Sequence, residues 1–201
     1  MDSRLRGNDS YSTLSITIRP FTDYGAPMTA EAWKKLETDV AMRMTNPGVS
    51  PLAEMRKRSG LQFLQDIASG TLPYPPIGKV LNFFPVEAEE GRVVFQGTPI
   101  FDFYNPIGTV HGGWACTLLD SCMSCAVQTT LKAGFGYTTG ELKVNLVRPL
   151  TEQTGPVRAE GKVIHGGRQL ATAEGRIFGP DGKLYAHGTT TCLIFPLPAE
   201  K

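Results

Sequence analysis

Asn105-Pro-Ile-Gly-Thr-Val-His111-Gly112-Gly113 runs through Trp114 into Ala115-Cys-Thr-Leu-Leu-Asp-Ser-Cys-Met-Ser-Cys-Ala-Val127. The first part reads as a loop. The second reads as a long helix, expected over about 112–131 and ending before Gly134 and Gly136. The first amides of a helix have no partner within it, so they can donate to an anion or a developing oxyanion. Asp120 is the one carboxylate in the apolar run, flanked by Leu118, Leu119 and Met123. A carboxylate in such surroundings is costly unless it has a partner or a task. An oxyanion donor and a carboxylate on one element point to hydrolysis of an acyl compound.

Outward from this stretch the chain changes period. Toward the N-terminus, 30–44 reads as a helix, with Thr29 as N-cap and Trp33, Leu36, Val40 and Met44 at helical spacing. Asn46-Pro-Gly48 breaks it. A second helix is expected over about 51–68, with Leu61, Leu64, Ile67 and Ala68 on one face and Gly70 as its stop. Leu72-Pro-Tyr-Pro-Pro76 reads as an extended linker. Residues 79–84 and 92–97 read as strands joined by the acidic turn Glu87-Ala-Glu-Glu-Gly91, and 100–104 as a short extended piece.

Beyond the long helix come four strand-like segments, 139–147, 157–165, 169–178 and 183–195. Gly166-Gly167 and Gly179-Pro-Asp-Gly182 are hairpin signals between them. An antiparallel sheet of this size needs its apolar face covered, and the long helix is the natural cover. The expected fold class is therefore α+β: a hotdog fold, with a curled antiparallel sheet of five to six strands around one long central helix and extra N-terminal helices. Residues 1–50 are expected to form an N-terminal extension, a loose arm to about residue 25 followed by a helix. Residues 51–198 are expected to form the main domain.

The 201 residues can build one domain with a core and an appendage, and 41% hydrophobic content is ordinary for a soluble protein. Twenty basic residues against nineteen acidic ones leave no concentrated basic patch, so nucleic acid is not the expected partner. Cys122-Met-Ser-Cys125 matches C-x-x-C, but mid-helix and without a second ligand pair it reads as small packing residues. The four cysteines show no disulfide spacing, which favours a reducing compartment. No run approaches the ~20 apolar residues of a membrane span, and the N-terminus lacks the apolar core of a secretory signal. The expected location is cytoplasmic, with no membrane partner and no metal.

Asn105-Pro-Ile-Gly-Thr-Val-His111-Gly-Gly-x6-Asp120 resembles the motif of the phenylacetate-pathway (PaaI-like) hotdog acyl-CoA thioesterases. Leu142-Lys-Val-Asn-Leu-Val-Arg-Pro149, Gly167-Arg168 and Gly182-Lys-Leu-Tyr-Ala186 also look like that family. The resemblance covers about 60–195. It implies that the amide of Gly112 or Gly113 polarises the thioester carbonyl. Asn105 would help hold the carbonyl or a water, and His111 would order the loop or also contact the thioester. Asp120 would act as general base or as nucleophile. Thr139 falls where the family often has a water-positioning hydroxyl, and spacing does not choose between it and Thr138. The substrate implied is an acyl-CoA, with coenzyme A entering as part of the substrate and no separate cofactor.

Spacing adds an independent constraint. Gly112 and Asp120 are eight residues apart, roughly 12 Å along a helix axis. A reacting carbonyl carbon must lie ~3 Å from both attacker and oxyanion donor. One helix cannot meet both conditions. Two antiparallel helices can, if Asp120 of one subunit faces Gly112 of another. A homodimer with two shared sites is expected, with a tetramer left open.

Other features carry two readings. His165-Gly166-Gly167 repeats the tripeptide inside a hairpin, so His-Gly-Gly alone means little. Asn105 could simply initiate an Asn-Pro turn. His187 reads as a structural strand residue. Arg148 and Arg168 could meet coenzyme A phosphates or be exposed strand-end charges. Phe101, Phe103, Tyr104 and Trp114 could line an acyl pocket or belong to the core. A non-catalytic acyl-CoA sensor and, less favoured, an acyl-thioester hydratase are the competing functions on this fold.

Overall fold

The structure, a computed structural model, describes residues 29–199. The arm expected over residues 1–25 lies outside them. Six strands form one sheet in the order β1-β2-β4-β5-β6-β3, every neighbouring pair antiparallel. They are β1 (Phe83–Glu89), β2 (Arg92–Gly97), β3 (Phe135–Leu146), β4 (Val157–Gly166), β5 (Leu170–Phe178) and β6 (Leu184–Pro196). The sheet wraps the long helix α5 (Gly112–Thr129), whose Leu118, Leu119, Cys122, Met123, Ala126 and Val127 are wholly buried. This is the hotdog architecture.

The wrap depends on what the inner face of the sheet lacks. Inward positions of β4 are Val157, Ala159 and Gly161, and those of β5 are Ala171, Ala173, Gly175 and Ile177. A Cβ on Gly161 would lie 2.3 Å from the Cys122 carbonyl oxygen, and one on Gly175 would lie 2.7 Å from Met123 Cγ. The small side chains let the helix backbone come down onto the strands. Cβ groups at these positions would hold it off and open voids around it.

The N-terminal part differs from the sequence expectation in two places. The single helix expected over 51–68 is two, α2 (Leu52–Lys57) and α3 (Gly60–Ala68). Arg58 is extended between them and is held there by Glu54 and by Asp66 at 2.6 Å. Ser59 then caps α3 by accepting from the Gln62 amide, and Gly60 donates to the Leu131 carbonyl at the end of α5. A Cβ on Gly60 would sit 1.7 Å from the Gln128 carbonyl oxygen. Docking against α5 therefore overrides the continuous helical pattern.

The strand expected over 79–84 begins later, because Pro76–Val80 forms a short helix, α4. Asn82, at φ 50, turns the chain into β1, and its amide donates to the Thr98 carbonyl. Of the residues taken for the turn, Glu90 and Gly91 form it, whereas Glu87 and Glu89 are strand residues. Glu87 and Glu89 pair with Arg92 on β2, and Glu87 also meets Arg158 on β4. Cations on adjacent strands accommodate their charge. Residues Phe101–Phe103, expected as extended, form one 3-10 turn. Of Gly134 and Gly136, read as the stop of the long helix, Gly134 immediately precedes β3 and Gly136 is its second residue.

The first helix, α1 (Ala30–Arg43), is capped by Thr29 as its sequence suggests. It lies across the outer face of the sheet. Val40 and Met44 pack with Phe84 and Tyr74. Trp33 receives a hydrogen bond from Gln96 at its carbonyl (2.8 Å), and the Arg158 guanidinium sits 4.5 Å from its ring centre. The outer face at β2 and β4 thus carries buried polar groups that α1 satisfies. No described helix is long and apolar enough to cross a membrane.

Gly161→Ala pushes a methyl group into the α5 backbone. The expected cost is about 3 kcal/mol of folding stability, read as a lowered urea midpoint with an unchanged m-value.

Candidate active site

Asp120 lies at the middle of α5, half-buried, on the side that faces β3. The Thr139 hydroxyl donates to its Oδ1 at 2.8 Å. Thr139 points inward because it follows Tyr137 on the alternation of the strand, and Thr138, between them, is exposed. A bulge at Gly140 follows at once, where the register between β3 and β6 shifts. Such bulges re-aim side chains locally. Of the two threonines that spacing left open, Thr139 therefore holds the carboxylate. Thr138 only shares the cavity.

That cavity measures about 410 Å³ and is lined by Asp120, Ser124 and Gln128 of α5, by residues 136–139 of β3, and by Met55, Phe63, Phe195 and Leu197. Ser124 and Gln128 were missed in the sequence. They stand four and eight residues after Asp120, the helical spacing that would have found them. Met55 and Phe63 come from α2 and α3, and no local pattern points to them.

A second cavity, about 270 Å³, opens at the N-terminus of α5. Asn105, His111, Gly112, Leu146 and Arg148 are among its walls, and it shares no lining residue with the first. His111 caps the helix, its Nδ1 accepting from the Gly113 amide at 2.9 Å. The neutral ring therefore carries its proton on Nε2. Gly113 is thereby occupied, whereas the Gly112 amide has no acceptor among the described residues. Of the two glycine donors suggested by the sequence, Gly112 is the one left free. A Cβ there would come 2.6 Å from Leu146 Cδ1 on β3.

Asn105 builds the loop. Its Oδ1 accepts from the amides of Ile107 and Thr109, and its Nδ2 donates to the Thr109 hydroxyl. The turn-initiating reading of this residue therefore holds, at the edge of the second cavity. Tyr104 accepts at its hydroxyl from the Glu152 amide and lines neither cavity. Arg168 is exposed at the turn between β4 and β5, also outside both. His187 is exposed in β6, between Asn145 and Arg176 on neighbouring strands.

The cysteines are all free thiols. Cys122 is fully buried, and the loss of water raises its thiol well above the ordinary value. Desolvation also pushes the Cys125 thiol up to about 12, and the Asp120 carboxylate adds to the shift. Neither is a nucleophile near neutral pH.

Comparison with known proteins bears on the fold. Residues 107–186 match the model of the thioesterase superfamily. A phenylacetic acid degradation-related protein from Ralstonia eutropha JMP134 is 26% identical, with a TM-score of 0.59 over 68% of this chain and 99% of that one. A point mutant of the phenylacetic acid degradation protein PaaI from Thermus thermophilus is 27% identical, with a TM-score of 0.53 over 59% of this chain and 97% of that one. A thioesterase family protein from Silicibacter pomeroyi, 22% identical, shares the fold at a TM-score of 0.60, over 68% of this chain and 98% of that one. No curated protein matches the chain in sequence.

At pH 8 a thiol with a pKa of about 12 is ionised in only ~1 molecule in 10⁴. Iodoacetamide applied to the native protein at pH 8 should therefore leave Cys122 and Cys125 unlabelled, and unfolding in urea should expose both. Peptide mapping by mass spectrometry reads the result.

Proposed function

We propose that this protein is an acyl-CoA thioesterase whose active site is completed by a second subunit. The observation that carries the proposal is the separation of the two half-sites. The Asp120–Thr139 pair lines one cavity and the free Gly112 amide lines another, with no common wall. They stand eight residues apart on one helix, roughly 12 Å along its axis, and a single thioester carbonyl cannot reach both.

The strand that connects the half-sites supports the arrangement. β3 is an edge strand of twelve residues, paired only with β6. Thr139 near its start faces Asp120, and Leu146 at its end packs on Gly112. A long unpaired edge is a template for another strand. Two β3 edges pairing antiparallel about a two-fold axis bring the Asp120 end of each subunit against the Gly112 end of the other. Such an interface generates two identical composite sites.

In this reading the Gly112 amide stabilises the developing oxyanion, helped by its place at the helix N-terminus. Asp120 takes a proton from water, whose oxygen bonds to the acyl carbon as the carbon–sulfur bond breaks. The proton ends on the departing thiolate, giving free acid and coenzyme A. Thr139 orients the carboxylate through Oδ1 and leaves Oδ2 for the water. If Asp120 instead attacks directly, the thiolate leaves as an anhydride forms, and water that opens it at the aspartyl carbonyl leaves one ¹⁸O from labelled water in Asp120 after a single turnover. Arg148, exposed in the second cavity, is placed to meet phosphate groups of coenzyme A.

Asp120→Asn should lower thiol release from acyl-CoA by about 100-fold or more, and Thr139→Val should lower it less. Gly112→Pro is the complementary probe. Proline is tolerated at the first helical position, His111 has a ψ of 134 that suits a following proline, and the substitution deletes the free amide. The Leu146 methyl it meets is the tip of a largely exposed side chain. Each variant alone should be nearly inactive. Unfolding and refolding the two together should restore roughly a quarter of the wild-type activity, because half of the reassorted dimers are mixed and each holds one intact site. No recovery in folded mixed dimers, verified with two affinity tags, overturns the shared site. Wild type that binds acyl-CoA but releases no thiol overturns the hydrolase.

A further inference from the structure

The Asp120 cavity extends well past the carboxylate, and its far end has a different chemistry. Asp120, Ser124 and Gln128 form one stripe of α5, with rises of roughly 6 and 12 Å from the first to the others. Gln128 is only 7% exposed, and its side-chain amide has no hydrogen-bond partner among the described residues although it lines the cavity. Its stem is fixed from behind: Cγ lies 3.0 Å from where a Cβ on Gly60 would be. Ser124, also buried, accepts from the Tyr137 hydroxyl at 3.3 Å. Around these groups the walls are Met55, Phe63, Phe195 and Leu197. The Gln128 amide atoms reach the cavity, so an acyl group that fills it strips them of water and must replace those hydrogen bonds or leave the amide unpaired.

We propose that the far end of this cavity reads an uncharged hydrogen-bonding group at the end of the acyl chain remote from the thioester, with Gln128 as the specificity-determining residue. The proposal rests on the thioesterase reading above. A primary amide both donates and accepts, so a hydroxyl or an oxo group fits equally. A terminal carboxylate does not fit, since no lysine or arginine among the described residues lines the cavity and the charge would be buried unpaired. A plain methyl end leaves the Gln128 amide unsatisfied. Sites built to hydrogen-bond a group reject analogues that lack it far more strongly than apolar pockets reject an extra methylene. Four of the walls lie outside residues 107–186: Met55 and Phe63 before them, Phe195 and Leu197 after them. Selection of the acyl group is thus built partly from α2 and α3, beyond the region that matches the thioesterase superfamily.

The test compares kcat/KM for matched pairs: hexanoyl-CoA with 6-hydroxyhexanoyl-CoA, and octanoyl-CoA with 8-hydroxyoctanoyl-CoA, each alongside the dicarboxylic analogue. For at least one length, wild type should prefer the hydroxylated member by tenfold or more and reject the diacid. Gln128→Met, which keeps the volume and removes the amide, should abolish the preference while still hydrolysing the plain chain. Equal rates within both pairs for wild type, or an unchanged preference in Gln128→Met, overturn the proposal. If Gln128→Met does not fold, the wild-type pairs decide alone, with Met55→Ala expected to relax chain-length selection and keep the hydroxyl preference. If wild type hydrolyses none of these esters, the thioesterase reading fails separately. Calorimetric binding then decides this one: tighter binding of the hydroxylated member supports it, and equal binding overturns it.

Discussion

The close approach of one helix to a strongly curved sheet governs the rest of this structure. α5 can sink onto β4 and β5 because Gly161 presents no side chain where its backbone passes, Gly175 presents none where Met123 and Leu119 pack, and alanines flank both. With the helix seated, its N-terminus faces the end of β3, and its middle faces the start of β3. One strand therefore contributes walls to both cavities. Asp120 can be tolerated on an otherwise apolar helix because it sits where the helix meets this edge strand. There it receives a hydroxyl from Thr139 and stays half-open to the cavity.

The polar interactions divide by purpose. Asn105, His111 and Tyr104 spend their hydrogen-bonding groups on shaping the loop ahead of α5. That loop leaves one amide, on Gly112, without an internal acceptor. Preorganisation of this kind is what makes a single backbone donor useful: it is fixed before any ligand arrives and loses nothing by reorganising. The buried charges on the outer face serve packing instead. Arg92, Arg158, Glu87 and Glu160 neutralise one another between β1, β2 and β4, and Trp33 of α1 covers Arg158.

The helices before β1 are integral to the molecule. α1 closes the outer face of the sheet. α2 and α3 reach round to the end of α5, where Gly60 rests on the Gln128 carbonyl and Met55 and Phe63 form cavity walls. The separation of α2 from α3 at Arg58 and Ser59 is what allows α3 to dock there. A continuous helix would carry its axis past the end of α5.

Much of the fold was legible along the chain because it depends on local periodicity. The apolar run of α5, the Thr29 cap, the glycine hairpins at 166–167 and 179–182, and the alternation in β4 to β6 all act within a few residues of themselves. Asp120 stood out for the same reason, as one charge in an oily helix. The breaks came where distant parts of the chain intervene. Glu87 and Glu89 look like a turn until Arg92 and Arg158 arrive from neighbouring strands, and 51–68 looks like one helix until α5 needs a glycine contact at Gly60. The choice of Thr139 over Thr138 depends on which face of β3 meets α5. The choice of Gly112 over Gly113 depends on the His111 rotamer. The cavity walls from α2 and α3 depend on how the chain packs back on itself. Periodicity is a property of neighbours in sequence and can be read there. Hydrogen bonds and cavity walls join residues separated by tens of positions, and only the packed chain brings those together.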